Sequence, residues 1–325
     1  MKSTIHMSSD AKEWKKSLLR EQRGCTVVEH EGSYSDAVAK GRKATEKERD
    51  TTSHFIDDET SHDLFLGYAC AAKELQQQLK EGGYLDSNDS GGEGGGSGGS
   101  GGGEGGEGGE GGGGKSNGGS SSEGATATKI TAEKKIVVYI PCGVGGAPSG
   151  ICWGLKHVFG ARVVVLFAEP THAPCVLLAM GDATKIGEDD TGGMHKKKMT
   201  CMEIGLDVKT EADGLACGEA SPLCCTMVNQ LCNGIFTVDD NDLFRRLADL
   251  IDAEGGEHFM EPSCCAALEG PHHLQWMAEN GKTKKEREWC VELLENSIHI
   301  IWATGGALVP EIERIKFIER GRTKN

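Results

Sequence analysis

The sequence predicts an α/β protein of two lobes built on mostly parallel sheets. Three observations carry this reading. Apolar, largely β-branched runs at 136–140 and 161–167 suit strands covered on both faces. Such runs alternate with helix-length segments that open on Ser, Asp or Asn and stop near Gly. A glycine turn, Gly143-Val144-Gly145-Gly146, follows the first of those strands and leads into a helix beginning near Ile151. With 325 residues the chain has room for one large or two medium domains.

A first, partial lobe takes residues 1–81. Residues 4–7 read as the end of a strand, and Ser8, Ser9 and Asp10 can cap a helix through Leu19 that stops at Gly24. A second strand follows at 25–29. Ser33 to Asp36 then opens a helix with Ala37, Val38 and Ala44 inward. Residues 55–58 read as a short strand tip. Asp57, Asp58 and Glu59 make an acidic corner, either helix caps in a solvated loop or one carboxylate at the rim of a cleft. Residues 61–79 are helical, with Leu64, Phe65, Tyr68, Ala72 and Leu75 on the inner face.

Residues 82–124 collapse to glycine, serine and glutamate. With so few apolar side chains to offset the entropy of ordering, they read as a disordered insertion that a folded unit tolerates at little cost. The larger lobe takes 125–325. After the helix ending at Phe159 and the strand 161–167 come a helix at 173–180, a Gly/Asp/Lys-rich loop at 181–199 and a helix at 221–233. A strand at 235–238 leads to a helix capped by Asp239, Asp240 or Asn241 and carrying Leu243, Phe244, Leu247 and Leu250. Residues 264–268 form a small-residue helix. A strand at 297–303 ends in the turn Thr304-Gly305-Gly306, followed by a polar helix at 310–319.

Lys and Arg number 35 against 50 Asp and Glu, a formal charge of −15, which disfavours nucleic acid and anionic membranes as partners. No apolar run reaches membrane-spanning length, so the expected location is the cytoplasm. Thirteen cysteines include no C-x-x-C pair and read as free thiols used as small buried hydrophobes. His172, His195, His272 and His273 show no metal-ligand spacing.

The glycine turn carries the chemistry. Gly143, Gly145 and Gly146 let backbone N–H groups approach a ligand, and the following helix N-terminus favours an anion, so a phosphate is the expected occupant. The spacing is neither G-x-G-x-x-G nor a P-loop, and a tight turn without ligand is the competing reading.

The runs PCGVGGAPSGICWGLKHVFG at 141–160 and FAEPTHAPC at 167–175, with WATGG at 302–306, closely resemble bacterial-type D-serine dehydratases. These are pyridoxal-phosphate enzymes of the tryptophan-synthase-β-like fold, fold type II, and the match covers residues 3–80 and 133–323. The resemblance implies that Cys142, Gly143, Val144, Gly145 and Gly146 line the pyridoxal 5′-phosphate site and that Thr304 hydrogen-bonds the pyridine nitrogen. It implies a monovalent or divalent cation at Glu169 and the backbone of 171–173, although Cys175 stands where some relatives offer aspartate. Asp213-Gly214 and Glu261-Pro262-Ser263 resemble segments around the cofactor cleft. Ala147, Ser149 and Ala307 replace glycines of the pattern.

The implied reaction is β-elimination of D-serine to pyruvate and ammonia, with a small amino acid as substrate and a monomer or homodimer as the assembly. The resemblance also implies a cofactor-binding lysine upstream of the part that matches 6–16. The expectation is therefore a fold truncated at its N-terminus and a chain inactive alone. A lyase acting on threonine or another hydroxy amino acid, and a non-catalytic pyridoxal-phosphate-binding protein, are the alternatives.

Overall fold

The computed structural model describes residues 2–47, 53–85, 134–181, 186–188, 194–196, 199–256 and 258–323. The glycine-rich tract expected to be disordered lies almost wholly outside the described residues. Among these are eight strands: β1 (Ser3–Ser8), β2 (Cys25–His30), β3 (Lys135–Pro141), β4 (Val163–Pro170), β5 (Ile186–Glu188), β6 (Met194–Lys196), β7 (Gly234–Val238) and β8 (Ser297–Ile301). Four of them make a wholly parallel sheet in the order β7-β4-β3-β8, with Val138 opposite Val165 on one side and Ile300 on the other. A second, two-stranded parallel sheet pairs β1 with β2.

The central strands are apolar because both faces are covered. Residues Ile136 to Ile140 have no exposed surface. Ile136, Val138 and Ile140 pack with Ile151, Cys152, Leu155 and Phe159 of the helix Gly146–Phe159. Val137 and Tyr139 point the other way, into Leu243, Leu247, Cys264, Leu274 and Leu293. This two-sided burial, at about 1.5–3 kcal/mol for each large aliphatic side chain, is the main term holding the larger lobe together.

The topology also positions a ligand site. From β3 the chain moves to β4 and then β7 on one side, whereas β8 inserts on the other side of β3. The helix after β3 covers one face of the sheet, and the helix Glu311–Arg322 after β8 packs through Phe317 and Ile318 on the other. Strand order thus reverses between β3 and β8, and it is at the carboxyl ends of strands at such a point that open α/β sheets bind ligands in a crevice.

Several local expectations need correction. The helix after β3 starts at Gly146, not near Ile151, because Pro148 sits in the first turn, where its missing N–H costs nothing. Residues 55–58 form no strand. The Asp57 carboxylate accepts the N–H groups of Glu59 and Thr60 at 2.8 and 2.7 Å, curling the chain into a turn. The first helix is Glu13–Arg20 and takes no cap from Ser8, Ser9 or Asp10, since Ser8 Oγ accepts Asp10 N–H and donates to the Gly32 carbonyl. In the helix Tyr34–Lys47, Ala44 is exposed and Gly41, packed under His6, takes its place in the core.

The single helix expected over 61–79 is two, His62–Ala69 and Ala71–Glu81, with Ser61 capping the first and Cys70 closing it on the Gly67 carbonyl. These helices do not complete the small lobe. Ala72, Leu79 and Leu85 share the apolar cluster of β3 and β4. The first helix lies on Gly146–Phe159 so closely that the backbones of Phe65 and Ala69 touch Gly150 and Gly154.

In the larger lobe, β4 begins at Val163 because Ala161 and Arg162 belong to a short 3-10 turn, and it runs on through Pro170. Cys175–Gly181 is the next helix. The expected loop 181–199 contains the β5–β6 hairpin, whose three-residue strands are too short for periodicity to reveal. The helix expected over 221–233 ends at Val228, because Asn233 turns back to accept the Val165 N–H. Two further helices, Gly270–Asn280 and Lys284–Asn296, fall where the sequence reading assigned no element.

The second of these begins with a reciprocal cap: Thr283 Oγ1 accepts the Glu286 N–H and Glu286 accepts the Thr283 N–H. Thr283→Ala is expected to lower stability by about 1 kcal/mol in urea unfolding, the usual value of such a cap.

Candidate functional site

The glycine turn and Thr304 flank the crevice between β3 and β8. Tyr139 is level with Ile301, and Trp302 donates its N–H to the Tyr139 carbonyl at 3.0 Å. Cys142 directly follows β3, and Thr304 lies three residues past the end of the adjacent strand β8. The expected phosphate loop and the expected ring-contacting hydroxyl therefore stand at one edge of one sheet.

Residues Cys142 to Gly146 are buried. Gly145 has φ +103°, a conformation L side chains rarely adopt, and a Cβ there would strike Cys224 Sγ. A Cβ on Gly143 would lie 3.0 Å from the Gly214 carbonyl, and one on Gly146 would strike the Asp58 carbonyl. Packing against protein thus already requires these glycines. The loop is pinned through its carbonyls: Gly143 O accepts the thiols of Cys142 and Cys175 at 3.6 and 3.3 Å, and Val144 O accepts the Ser221 N–H at 2.8 Å. Ser221 also donates its hydroxyl to the Glu59 carbonyl at 2.5 Å, tying the acidic corner to the loop.

Ser149 is the first residue whose N–H bonds back into the helix, onto the Gly145 carbonyl at 3.0 Å. The N–H groups of the first turn point out of the helix, toward the crevice end. Burial pushes the Cys142 thiol well up and Glu169 adds to this, so the sulfur stays neutral. Burial likewise pushes the Asp58 carboxyl up, reinforced by Asp57 and eased by the Tyr68 hydroxyl. The groups nearest the loop are thus driven toward their uncharged forms. A bare helix N-terminus in such surroundings fits a phosphate dianion.

Thr304 is exposed and oriented by Cys264. Its Oγ1 lies 2.8 Å from Cys264 Sγ, its N–H donates to the same sulfur at 3.3 Å, and the thiol donates to the Gly305 carbonyl at 3.2 Å. Burial raises the thiol pKa, with bonds from Thr304 opposing. Sequence reasoning missed Cys264 as part of the site; the doublet Cys264-Cys265 directly after Glu261-Pro262-Ser263 was the available signal. The hydroxyl is neutral, so it can share a hydrogen bond with a heteroaromatic nitrogen without imposing a charge on it.

Glu169 behaves differently from a surface cation ligand. It is fully buried, and its two oxygens accept the N–H groups of Val176 and Leu177 at 2.8 Å each, capping the helix Cys175–Gly181. Burial pushes its carboxyl up to about 7 against those bonds. Among the described residues no group of three or more His, Cys, Asp or Glu is arranged to hold a metal ion. None of the thirteen cysteines forms a disulfide, and nine of them are buried. Among the described residues no helix is long and apolar enough to cross a membrane.

Asp213 and Glu261, assigned no role from sequence, form the back of the crevice. The turn Asp213–Leu215 lies behind Gly143, and Gly214 donates its N–H to Ser263 Oγ at 3.1 Å. Glu261 lies behind Gly305, with its N–H on the Gly305 carbonyl at 3.2 Å.

Comparison with known proteins gives this arrangement a context. Residues 123–291, just over half of the chain, match the family described as pyridoxal-phosphate dependent enzyme. The probable D-serine dehydratase of Halalkalibacterium halodurans is 40% identical over 322 residues, covering 98% of this chain and 58% of that protein. That of Geobacillus kaustophilus is 38% identical over 310 residues, covering 95% and 56%. The chain spans less than three fifths of the length of these two curated relatives. Among solved structures, diaminopropionate ammonia lyase from Escherichia coli in complex with D-serine aligns over 100% of this chain and 65% of its own, with TM-score 0.62 and 15% identity. Threonine deaminase isoform 2 from Solanum lycopersicum covers 98% of this chain and 66% of its own, with TM-score 0.58 and 16% identity. At those identities the likeness is one of fold, and the fold is that of tryptophan-synthase-β-like enzymes of fold type II.

Proposed function

This chain belongs to the pyridoxal-phosphate-dependent enzyme family, and on that premise we propose that its crevice serves a lyase converting D-serine to pyruvate and ammonia. The reading is supported by the glycine loop directly after β3 and Thr304 shortly after β8, the two strands between which strand order reverses. Identity of 40% to a probable D-serine dehydratase supports the choice of substrate. The N–H groups at the start of the helix Gly146–Phe159 hold the cofactor phosphate, in a loop whose Gly143, Gly145 and Gly146 let it pack closely against the protein behind it. Thr304, oriented by Cys264, holds the ring nitrogen through a neutral hydroxyl. When bound, the cofactor supplies the electron sink that permits loss of the α-proton and β-hydroxyl of an amino acid. Glu169, expected as a cation ligand, caps the helix Cys175–Gly181 through both carboxylate oxygens.

A specific observation favours a second reading for this polypeptide taken by itself. Lys12 and Lys15, which the structure brings to the back of the crevice, are engaged with Asp213 and Glu261 and so poorly placed for covalent attachment of the cofactor. On this reading the chain binds pyridoxal 5′-phosphate non-covalently without turning over D-serine.

One experiment separates the two. Purified chain is incubated with pyridoxal 5′-phosphate and D-serine, with L-serine and D-threonine in parallel, and pyruvate and 2-oxobutyrate are measured. The first reading expects saturable cofactor uptake with pyruvate formed from D-serine, and the second the same uptake without catalytic product; in either case Thr304→Ala weakens uptake about tenfold by loss of one hydrogen bond. Turnover of D-serine would establish an active lyase in this chain. Uptake unchanged in Thr304→Ala would remove the ring contact from the assignment.

A further inference from the structure

We infer that Lys15 is a positioning residue for the proposed cofactor site, drawing together the two walls of the crevice, one behind the glycine loop and one behind Thr304. The inference rests on the reading of that crevice given above. Lys15 belongs to the N-terminal helix Glu13–Arg20, far in sequence from either wall. Its ammonium lies 3.1 Å from Asp213 Oδ2 and 3.4 Å from Glu261 Oε2, and all three side chains are about three quarters buried or more.

Each carboxylate belongs to one wall. Asp213 starts the turn whose Gly214 carbonyl and Leu215 Cα stand 3.0 and 3.3 Å from where a Cβ of Gly143 would be. Glu261 stands 2.7 Å from where a Cβ of Gly305 would be, and its N–H holds the Gly305 carbonyl, one residue beyond Thr304. Without the lysine, two largely buried carboxylates would be left side by side, and like charges would drive the walls apart.

Neighbouring groups strengthen the clamp. Lys12 reaches Asp213 at 3.9 Å and the Glu211 carbonyl at 3.5 Å, and it lies over the Phe317 ring. Arg320 pairs with Glu211 at 2.6 Å, so the C-terminal helix braces the same corner. Burial draws the Lys15 pKa down, and Asp213 and Glu261 more than offset this, leaving the ammonium charged. Of the two lysines only Lys15 reaches both walls among the described contacts, beside the bond from the Gly214 N–H to Ser263 Oγ that also joins them.

The test uses the full chain as wild type, Lys15→Met, Lys15→Arg and Thr304→Ala. Hydrogen exchange is followed in peptides covering 213–215 and 304–306. Binding is titrated with pyridoxine 5′-phosphate, which lacks the aldehyde and so cannot label surface lysines. In Lys15→Met exchange is expected to quicken at both walls and the dissociation constant to rise about tenfold, while Lys15→Arg stays within about twofold of wild type. Thr304→Ala should weaken binding and leave exchange at 213–215 alone. Binding lost in Thr304→Ala but unchanged in Lys15→Met, or a Lys15→Arg as impaired as Lys15→Met, overturns the role of Lys15 and leaves the cofactor reading standing. A wild-type chain with no saturable binding overturns the cofactor reading, and the inference falls with it.

Discussion

Alanine at position 145 is expected to destabilise the chain by about 4 kcal/mol, combining about 1–2 for a side chain in a left-handed conformation with about 1–3 for overpacking. The residue has φ +103°, and its would-be Cβ collides with Cys224, a fully buried side chain behind the loop. Neither can yield easily, since the Cys224 N–H is held by Ser221 Oγ at 3.1 Å and Ser221 is itself bound to both Val144 and Glu59. A loss of that size is a large share of the roughly 5–15 kcal/mol that holds a domain folded. Urea unfolding followed by far-UV circular dichroism measures it. Gly67→Ala is the control: it lies mid-helix with nothing within 4 Å of its Cβ position, and alanine there should gain about 0.5–1 kcal/mol. A Gly145→Ala variant within 1 kcal/mol of wild type would mean that the loop is not held as described.

The second large effect concerns pH. Glu169 is buried, and its carboxyl titrates near 7 in the folded chain against an ordinary value near 4.5. A folded pKa above the unfolded one means that the native state holds the proton where the unfolded state has released it. The contribution is therefore whole below about pH 4.5 and shrinks as pH rises through 7, by about 3 kcal/mol in all. Glu169→Gln cannot titrate. It loses one acceptor for the Val176 and Leu177 amides, a pH-independent cost of about 1–3 kcal/mol. The difference in unfolding free energy between wild type and Glu169→Gln should thus narrow from pH 4.5 to 8, with wild type ahead at the acid end. A difference that grows with pH would show that the two amides keep the carboxylate ionised in spite of its burial.

Much of the larger lobe was legible because burial on two faces leaves an unambiguous mark on a strand: β3 and β7 read to within a residue of their observed bounds, and β4 was found though shifted by two and three residues at its ends. The glycine loop was legible for a related reason, since it directly follows such a strand, whereas Thr304 was picked out by the run WATGG past the half-buried β8. The helix start was misplaced because glycines at 146, 150 and 154 look like loop, whereas they form a bare stripe that lets the Asp58, Phe65 and Ala69 backbones approach. The turn at Asp57 resembled a strand tip because Phe55 and Ile56 are apolar, yet Ile56 is exposed and the aspartate side chain directs the fold there. Lys15 and Cys264 left no local sign. Their importance comes from partners about two hundred and about forty residues away, a relation no window of sequence contains.

The glycine stripe has a mechanical meaning. Where Gly146, Gly150 and Gly154 meet the 58–69 backbone, no side chains intervene, so that joint has nothing to slide upon and is insensitive to dissolved ions. The opposite joint, where the N-terminal helix meets Asp213 and Glu261, is made of charges in partial contact with water and loosens as ionic strength rises. The two joints therefore answer differently to added salt, the glycine contact holding while the charged one weakens.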